Sequence, residues 1–175
     1  MPTVLLHACC GPCASHAIEE LRRAGYTVTL CFSNANIAPQ EEYTRRLDAA
    51  RQLAADTQAP LIVDPPDHAS WLEAMRGWEN EPEGGERCRH CFRYALRRVQ
   101  AIAAARGFDA FTTSLTISPH KHTETIFAIG REIDPVRFLA LDFKKNDGFH
   151  RSVTIARERN LYRQNYCGCE FSWRK

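Results

Sequence analysis

Short apolar segments alternate with longer amphipathic ones along most of the chain, and this alternation is the feature that most constrains the fold. The predicted strands cover residues 3–7, 27–32, 61–63, 110–114 and 136–141. The predicted helices cover residues 14–24, 41–56, 68–78, 88–106, 121–132 and 150–160. Strands separated by helices indicate a mostly parallel sheet with helices on both faces, which is an α/β fold.

The length of 175 residues suits one domain, and a chain of this size can bury a core without cross-links. We therefore expect a single catalytic domain over residues 1–175, of which 161–175 form an irregular tail that carries cysteines. The fractions of hydrophobic residues (44%) and charged residues (25%) exclude a disordered or collagen-like chain.

Eight cysteines stand out in this composition, and seven of them fall into three short motifs. The motifs are LHACCGPC with Cys9, Cys10 and Cys13, RCRHCF with Cys88 and Cys91, and NYCGCEF with Cys167 and Cys169. Cytosolic cysteine clusters more often bind metal or carry out redox reactions than form structural disulfides. The eighth, Cys31, lies in an apolar strand and is expected to be an inert core residue.

The chemistry-bearing segments follow predicted strands directly. Cys9, Cys10 and Cys13 follow the first strand, residues 114–122 follow the fourth, and Lys144 and Lys145 follow the fifth. Ligands of open α/β sheets bind beyond the carboxyl ends of the strands. We therefore expect these segments to converge on one edge of the sheet.

Several kinds of site are compatible with the thiols. Cysteines at C-x-x-C spacing hold iron–sulfur clusters or tetrahedral zinc. The sequence Cys10-Gly11-Pro12-Cys13, after a strand and before a helix, also fits a thioredoxin-like redox motif. Because the three motifs are scattered along the chain, they can meet only in the folded protein, which favours an active site over a local zinc knuckle.

Basic residues are clustered although the formal net charge is only +2. Residues 144–163 hold six basic residues against two acidic ones, and residues 87–98 hold five arginines and no acid. Lys144, Lys145 and Arg151 are predicted RNA phosphate contacts, with Phe149 or Tyr162 as a stacking residue. An exposed loop without a ligand explains the same charges equally well. The run His120-Lys121-His122 is compatible with a metal role, but short polar runs at a helix start are more often caps and solvated surface, which we expect here.

No apolar run reaches the roughly 18 residues of a membrane helix. The first residues, MPTVLLHACCGPC, lack the basic segment of a signal peptide. We expect a cytoplasmic protein without a membrane partner.

Taken together, the motifs resemble a known family. LLHACCGPC, SNANIAPQEEYTRRL, RCRHCFRYAL, TTSLTISPHKH, LDFKKNDGFHRS and LYRQNYCGCEFS are similar to the cobalamin-independent epoxyqueuosine reductases of the QueH type. The resemblance implies a Rossmann-like, nucleotide α-hydrolase-like fold. It also implies reduction of the epoxide of epoxyqueuosine at the tRNA wobble position to give queuosine, the last step of queuosine biosynthesis.

The same resemblance implies a [4Fe–4S] cluster and no cobalamin. In the preferred assignment Cys9, Cys10, Cys88 and Cys91 hold the cluster. Cys167 and Cys169 then form a redox-active pair, whose strained C-x-C disulfide is easily reduced, or they hold a second mononuclear iron with Cys13. The substrate tRNA and an external low-potential electron donor are the expected partners.

Two interpretations from other classes remain open from the sequence. One is an RNA-binding module stabilised by zinc and without redox activity. The other is a tRNA sulfur transferase or thiolase with a similar α/β fold.

Overall fold

Four parallel strands form the sheet in the computed structural model, which describes residues 1–173. They are β1 (Thr3–His7), β2 (Thr27–Phe32), β3 (Leu61–Val63) and β4 (Ala110–Thr113). The strand order is β3-β2-β1-β4, so β1 is central and pairs with both β2 and β4. The predicted parallel α/β sheet is confirmed.

Six helices cover the sheet. They are α1 (Gly11–Arg23), α2 (Gln40–Thr57), α3 (His68–Ala74), α4 (Glu86–Ala105), α5 (Thr123–Ile133) and α6 (Gly148–Glu158). None of the helices in the described part of the chain has the length and apolar character needed to cross a membrane.

Alternate residues of β1 face two separate cores. Val4 and Leu6 are fully buried in one core together with Ile18 of α1 and Ala156 of α6. Leu5 points to the opposite face, into a core that contains Val99 of α4. Since successive strand residues point to opposite faces, this pattern confirms that helices cover both sides of the sheet.

The predicted fifth strand, residues 136–141, is reduced to a single parallel bridge between Phe111 and Phe138. The backbone of Phe111 pairs with this segment through Arg137 and Leu139. Beyond this point the hydroxyl of Thr112 donates to the carbonyl of Leu139 at 2.8 Å, in place of a ladder hydrogen bond. The apolar composition of the segment therefore indicates extended chain correctly but does not produce a full strand.

Element ends also differ from the prediction near the edge where the strands end. β4 stops at Thr113 and continues as a 3₁₀ turn over Ser114–Ile117. Helix α5 begins at Thr123 instead of residue 121, because His122 is its N-cap and accepts a hydrogen bond from the Thr125 amide. Lys121 thus lies in a loop.

The tail after α6 is irregular, as predicted, apart from a 3₁₀ turn over Glu170–Ser172. Residues 174 and 175 of the predicted tail lie outside the described residues. The tail is not detached from the domain: the Ala38 amide donates to the carbonyl of Gly168 at 2.9 Å. The Tyr166 hydroxyl also donates to the carbonyl of Ala38.

Candidate active site

The first cysteine motif lies where β1 turns into α1. Cys10 is the N-cap of α1, and its sulfur accepts a hydrogen bond from the Cys13 amide at 3.2 Å. Pro12 follows at the start of the helix, a position where a missing N–H costs nothing. Gly11 allows α1 to approach α2, since a Cβ there would lie 3.0 Å from the backbone of Ala49.

The sulfur atoms of Cys9, Cys10 and Cys13 lie within 4.8 Å of one another. Ser114, at the end of β4, donates from its hydroxyl to the Cys9 sulfur at 3.2 Å and accepts from the Cys9 amide at 3.1 Å. Hydrogen bonds from Cys10 and Cys13 hold the pKa of Cys9 well below its usual range, against the effect of burial. Burial raises the pKa of Cys10 to about 12. The first proton lost from this group therefore leaves a thiolate at Cys9.

The other two cysteine motifs, Cys88 with Cys91 and Cys167 with Cys169, lie close to each other. Cys88 and Cys91 lie one turn apart in the first turns of α4, and the Cys88 sulfur accepts from the Gly84 amide at 3.2 Å. Burial raises the pKa of Cys91, and charge on Cys167, Cys169 or Cys88 raises it further. The thiols of these two motifs are therefore near neighbours in the fold, although at least 76 positions separate one motif from the other in the sequence.

One cavity of about 310 Å³ joins the two groups. Five sulfur-bearing side chains line it, namely Cys9, Cys10, Cys13, Cys91 and Cys167. Cys9 and Cys88 pack against the same apolar cluster around Phe92. Cys169 is buried in a second cluster with Trp71, and Cys91 packs against this second cluster. Five motif cysteines thus line one cavity, and Cys88 and Cys169 pack in the same clusters as Phe92 and Cys91, which line it. Cys31 is buried in a core that contains none of them.

Arg46 fixes the tail that carries Cys167. Its side chain is 2% exposed and donates to the carbonyls of Cys167 at 2.7 Å and Tyr166 at 2.9 Å. Its third hydrogen bond reaches the buried carboxylate of Glu42 at 2.8 Å, which also accepts from the Tyr162 hydroxyl. Sequence analysis did not identify this residue, and its only signal was a Glu–Arg pair four positions apart on α2.

Lys121 differs from the expectation of a solvated surface for the run His120-Lys121-His122. It is half-buried in the loop before α5 and lines the cavity. Burial disfavours its charge, but Cys167, Cys9 and Cys13 more than compensate and raise its pKa. The two neighbouring histidines have different positions. His122 caps α5 as expected, whereas His120 lines the cavity.

The predicted phosphate contacts lie on the loop before α6 and on its first turn. The Lys144 ammonium group donates to the carbonyl of Thr116 at 2.6 Å and to the Thr123 hydroxyl, so it is already bonded within the protein. Arg151 is exposed and pairs with Glu19 at 2.9 Å. Lys145 is exposed. These positions leave their RNA-binding role a prediction.

Several arginines of α4 have structural partners. Arg87 is 2% exposed and donates to three carbonyls of the preceding loop, those of Trp78, Glu79 and Glu81. Arg98 makes a two-pronged ion pair with Asp64. The run of arginines at 87–98 is therefore in part a set of structural contacts.

The donor set fits an iron–sulfur cluster. All eight cysteines are free thiols, and iron–sulfur clusters are held by cysteine thiolates. The sulfurs of three motifs line or adjoin one cavity, and one of them has a strongly lowered pKa. A buried site with more thiols than one cluster needs also leaves cysteines for a second role.

Comparison with known proteins identifies a family for the whole chain. The family model described as "Epoxyqueuosine reductase QueH" matches residues 4–175. A protein of that name from Streptococcus pyogenes serotype M1 is 40% identical over 181 residues, which cover 98% of this chain and 70% of the relative. Another from Thermotoga maritima is 34% identical over 180 residues, which cover 98% of this chain and 91% of the relative.

A solved structure shares the fold. The predicted subunit of tRNA methyltransferase from Methanocaldococcus jannaschii superposes with a TM-score of 0.61 at 12% identity, covering 91% of this chain and 89% of that one. This similarity confirms the α/β fold with its parallel sheet and helices on both faces. The family model and the relatives carry the assignment further: the chain belongs to the QueH family of epoxyqueuosine reductases and is an oxidoreductase.

Proposed function

We propose that this protein reduces the epoxide of epoxyqueuosine in tRNA to give queuosine, the last step of queuosine biosynthesis, with an iron–sulfur cluster. The observation that carries the proposal is the convergence of five thiols from three motifs on one cavity, in a chain that belongs to the reductase family. Conversion of an epoxide to an alkene consumes two electrons and two protons and releases water. None of the twenty ordinary side chains supplies single electrons at ordinary potential, so a metallocluster fits this requirement.

Cys9, Cys10, Cys88 and Cys91 are the proposed ligands of a [4Fe–4S] cluster, which supplies one-electron transfer when bound. Cys9 is supported by its lowered pKa and by the hydrogen bonds that fix it to Ser114. Cys88 and Cys91 are supported by their position on one side of the first turns of α4. The proposal involves no cobalamin.

Cys167 and Cys169 are proposed to act in catalysis. In one role they form a dithiol that supplies two electrons and becomes a disulfide. In the other they hold a second mononuclear iron together with Cys13, and that iron acts as a Lewis acid. The Arg46 bonds to the carbonyls beside Cys167 support either role, because they hold this thiol at the cavity.

The proposed partners are a tRNA with epoxyqueuosine at its wobble position and an external low-potential electron donor. Lys145, Arg151 and Lys144 are the proposed phosphate contacts. Lys145 and Arg151 are exposed. Phe149 lines the cavity and is 36% exposed, and it is the proposed stacking residue for the base. Lys144 would exchange its present bonds to Thr116 and Thr123 for a phosphate.

Metal analysis without oxygen tests the cofactor. We expect anaerobically purified protein to be brown and to contain iron and sulfide in the ratio of a [4Fe–4S] cluster. The Cys88→Ser and Cys91→Ser variants should lose that iron together, and Cys31→Ser, in a separate core, is the matched control. A colourless wild-type protein with one equivalent of zinc would contradict the proposal, and full iron in either variant would contradict the ligand assignment.

A further inference from the structure

We propose that Lys121 is a catalytic residue whose ammonium group binds the epoxide oxygen and stabilises the negative charge that develops on it as the C–O bond breaks. The inference rests on the proposed function and extends it to a residue outside the cysteine motifs.

The position of Lys121 is the first argument. It lies in the loop between the 3₁₀ turn at Ser114–Ile117 and α5, and it lines the cavity together with five thiols and with apolar and polar side chains, among them Ser118, His120 and Glu83. Cys9 and Cys13 of the β1–α1 turn and Cys167 of the tail line the same cavity. The Lys121 side chain therefore shares this cavity with thiols of two motifs, and these thiols raise its pKa.

The second argument is that the other cations of the cavity have different positions. Arg46 also lines it, but its guanidinium is used by Glu42 and two carbonyls. Arg163 lies at the exposed rim. Among the lysines and arginines that line the cavity within residues 1–173, Lys121 is the one that is half-buried beside the sulfurs without such carbonyl and carboxylate partners.

The chemistry of the reaction calls for such a group. The epoxide oxygen is bonded to two ring carbons. A low-potential donor delivers two electrons to the ring, one at a time. Both C–O bonds break, and a C=C bond forms between the two carbons. The oxygen takes up two protons that come from solvent and leaves as water. When the first C–O bond breaks, the oxygen carries negative charge, and a cation in a low-dielectric cavity stabilises this charge strongly.

Two variants with opposite expectations test the proposal. Lys121→Met removes the charge but keeps the length of the side chain, and Lys121→Arg keeps the charge. Removal of one group that stabilises an oxyanion lowers kcat by about 10²–10³-fold, so we expect a loss of this size in Lys121→Met. Its KM for the tRNA should rise by no more than about tenfold, which is the loss of ground-state hydrogen bonding to the epoxide oxygen, and Lys121→Arg should keep partial activity. Arg131→Met, which removes one exposed charge from α5, should behave like wild type.

Binding provides a readout without turnover. In the oxidised protein, wild type should bind tRNA with epoxyqueuosine at least about tenfold more tightly than tRNA with queuosine, because queuosine lacks the oxygen that accepts a hydrogen bond from the charged donor. Lys121→Met should lose this preference while it keeps wild-type iron content and thermal stability.

Three outcomes would overturn the proposal: wild-type kcat in Lys121→Met, an unchanged preference for the epoxide in that variant, or loss of its iron, which would place Lys121 in the metal site instead. Absence of epoxide conversion by wild type would refute the proposed function itself. The wild-type reaction therefore distinguishes failure of the proposed function from failure of the role of Lys121.

Discussion

Removal of Arg46, which lies on α2 and donates hydrogen bonds to the tail, should destabilise the protein strongly. The side chain is 2% exposed and its three hydrogen bonds reach Glu42, Tyr166 and Cys167. Arg46→Met leaves the Glu42 carboxylate, which is 5% exposed, without its buried partner and with only the exposed Arg45 at 3.9 Å. Loss of one partner of a buried ion pair costs about 3–5 kcal/mol. For a chain of this length 1 kcal/mol shifts Tm by about 2–4 °C, so we expect Tm to fall by roughly 6–20 °C.

The neighbouring Arg45 provides the matched control. It is on the same helix, its side chain is 64% exposed, and it lies 3.9 Å from the same carboxylate of Glu42. An exposed ion pair of this kind contributes about 0–1 kcal/mol, so Arg45→Met should unfold at nearly the wild-type temperature. Glu42→Gln combined with Arg46→Met should be less destabilised than Arg46→Met alone, because no buried carboxylate is left unpaired.

Thermal unfolding of the metal-free variants measures this prediction, and labelling of thiols in the native state measures its local consequence. We expect faster labelling of Cys167 in Arg46→Met than in Arg45→Met, since only the first substitution removes the hydrogen bonds to the carbonyls of Tyr166 and Cys167. Equal Tm values for the two variants would refute the argument that a buried Arg46 fixes the tail.

Three further predictions concern stability and RNA binding. Burial opposes ionisation of Asp64, but hydrogen bonds from Arg98 and Ser33 outweigh it and hold its pKa below the usual value. Its ionised form therefore stabilises the fold at neutral pH, and this contribution is lost as pH falls below about 3.9 and through the folded-state pKa. The free energy of unfolding by urea across this acidic range should depend less on pH in Asp64→Asn than in wild type. Equal slopes of this free energy against pH in the two proteins would contradict the linkage. Gly130→Ala places a Cβ well inside van der Waals distance of the Phe138 ring. Chemical denaturation should therefore show a free energy of unfolding lower by about 1–3 kcal/mol, in place of the increase that alanine usually gives over glycine in a helix. A more stable variant would show that the ring moves aside easily. Replacement of the three predicted phosphate-binding side chains by alanine should weaken tRNA binding and reduce the log–log salt slope by about 0.7–0.9 for each phosphate that is no longer neutralised, with iron content unchanged, and an unaltered slope would mean that they do not bind phosphate. These side chains are Lys144, Lys145 and Arg151.

The central architecture is accessible from local patterns. Strands β1 to β4 are short, apolar or β-branched and bounded by helices, so the sequence predicts them within a residue or so, and the rule that ligands bind beyond strand ends predicts where the cysteine motifs converge. The segment at 136–141 has the same composition, but its pairing with Phe111 is interrupted by the Thr112 side chain. Composition reports the tendency to be extended and not the partners that complete a strand.

The parts of the site that the sequence does not predict depend on packing. The pattern around Lys121 predicts a helix start, and only the cap at His122 moves this lysine into a loop that faces the cavity. Arg46 is one of several arginines on an amphipathic helix, and its burial follows from the tail that packs over it. The close approach of Cys13 to Cys9 and Cys10 depends in the same way on side-chain placement within the turn.

Mass spectrometry of tRNA nucleosides tests the central claim most directly. Anaerobic protein with its iron and a chemical low-potential reductant would be incubated with tRNA that carries epoxyqueuosine. We predict a nucleoside lighter by one oxygen atom, queuosine, formed by the iron-loaded protein and not by the metal-free protein or Cys91→Ser. Unchanged epoxyqueuosine with the iron-loaded protein, or equal conversion without iron, would contradict reduction at this cysteine-lined site.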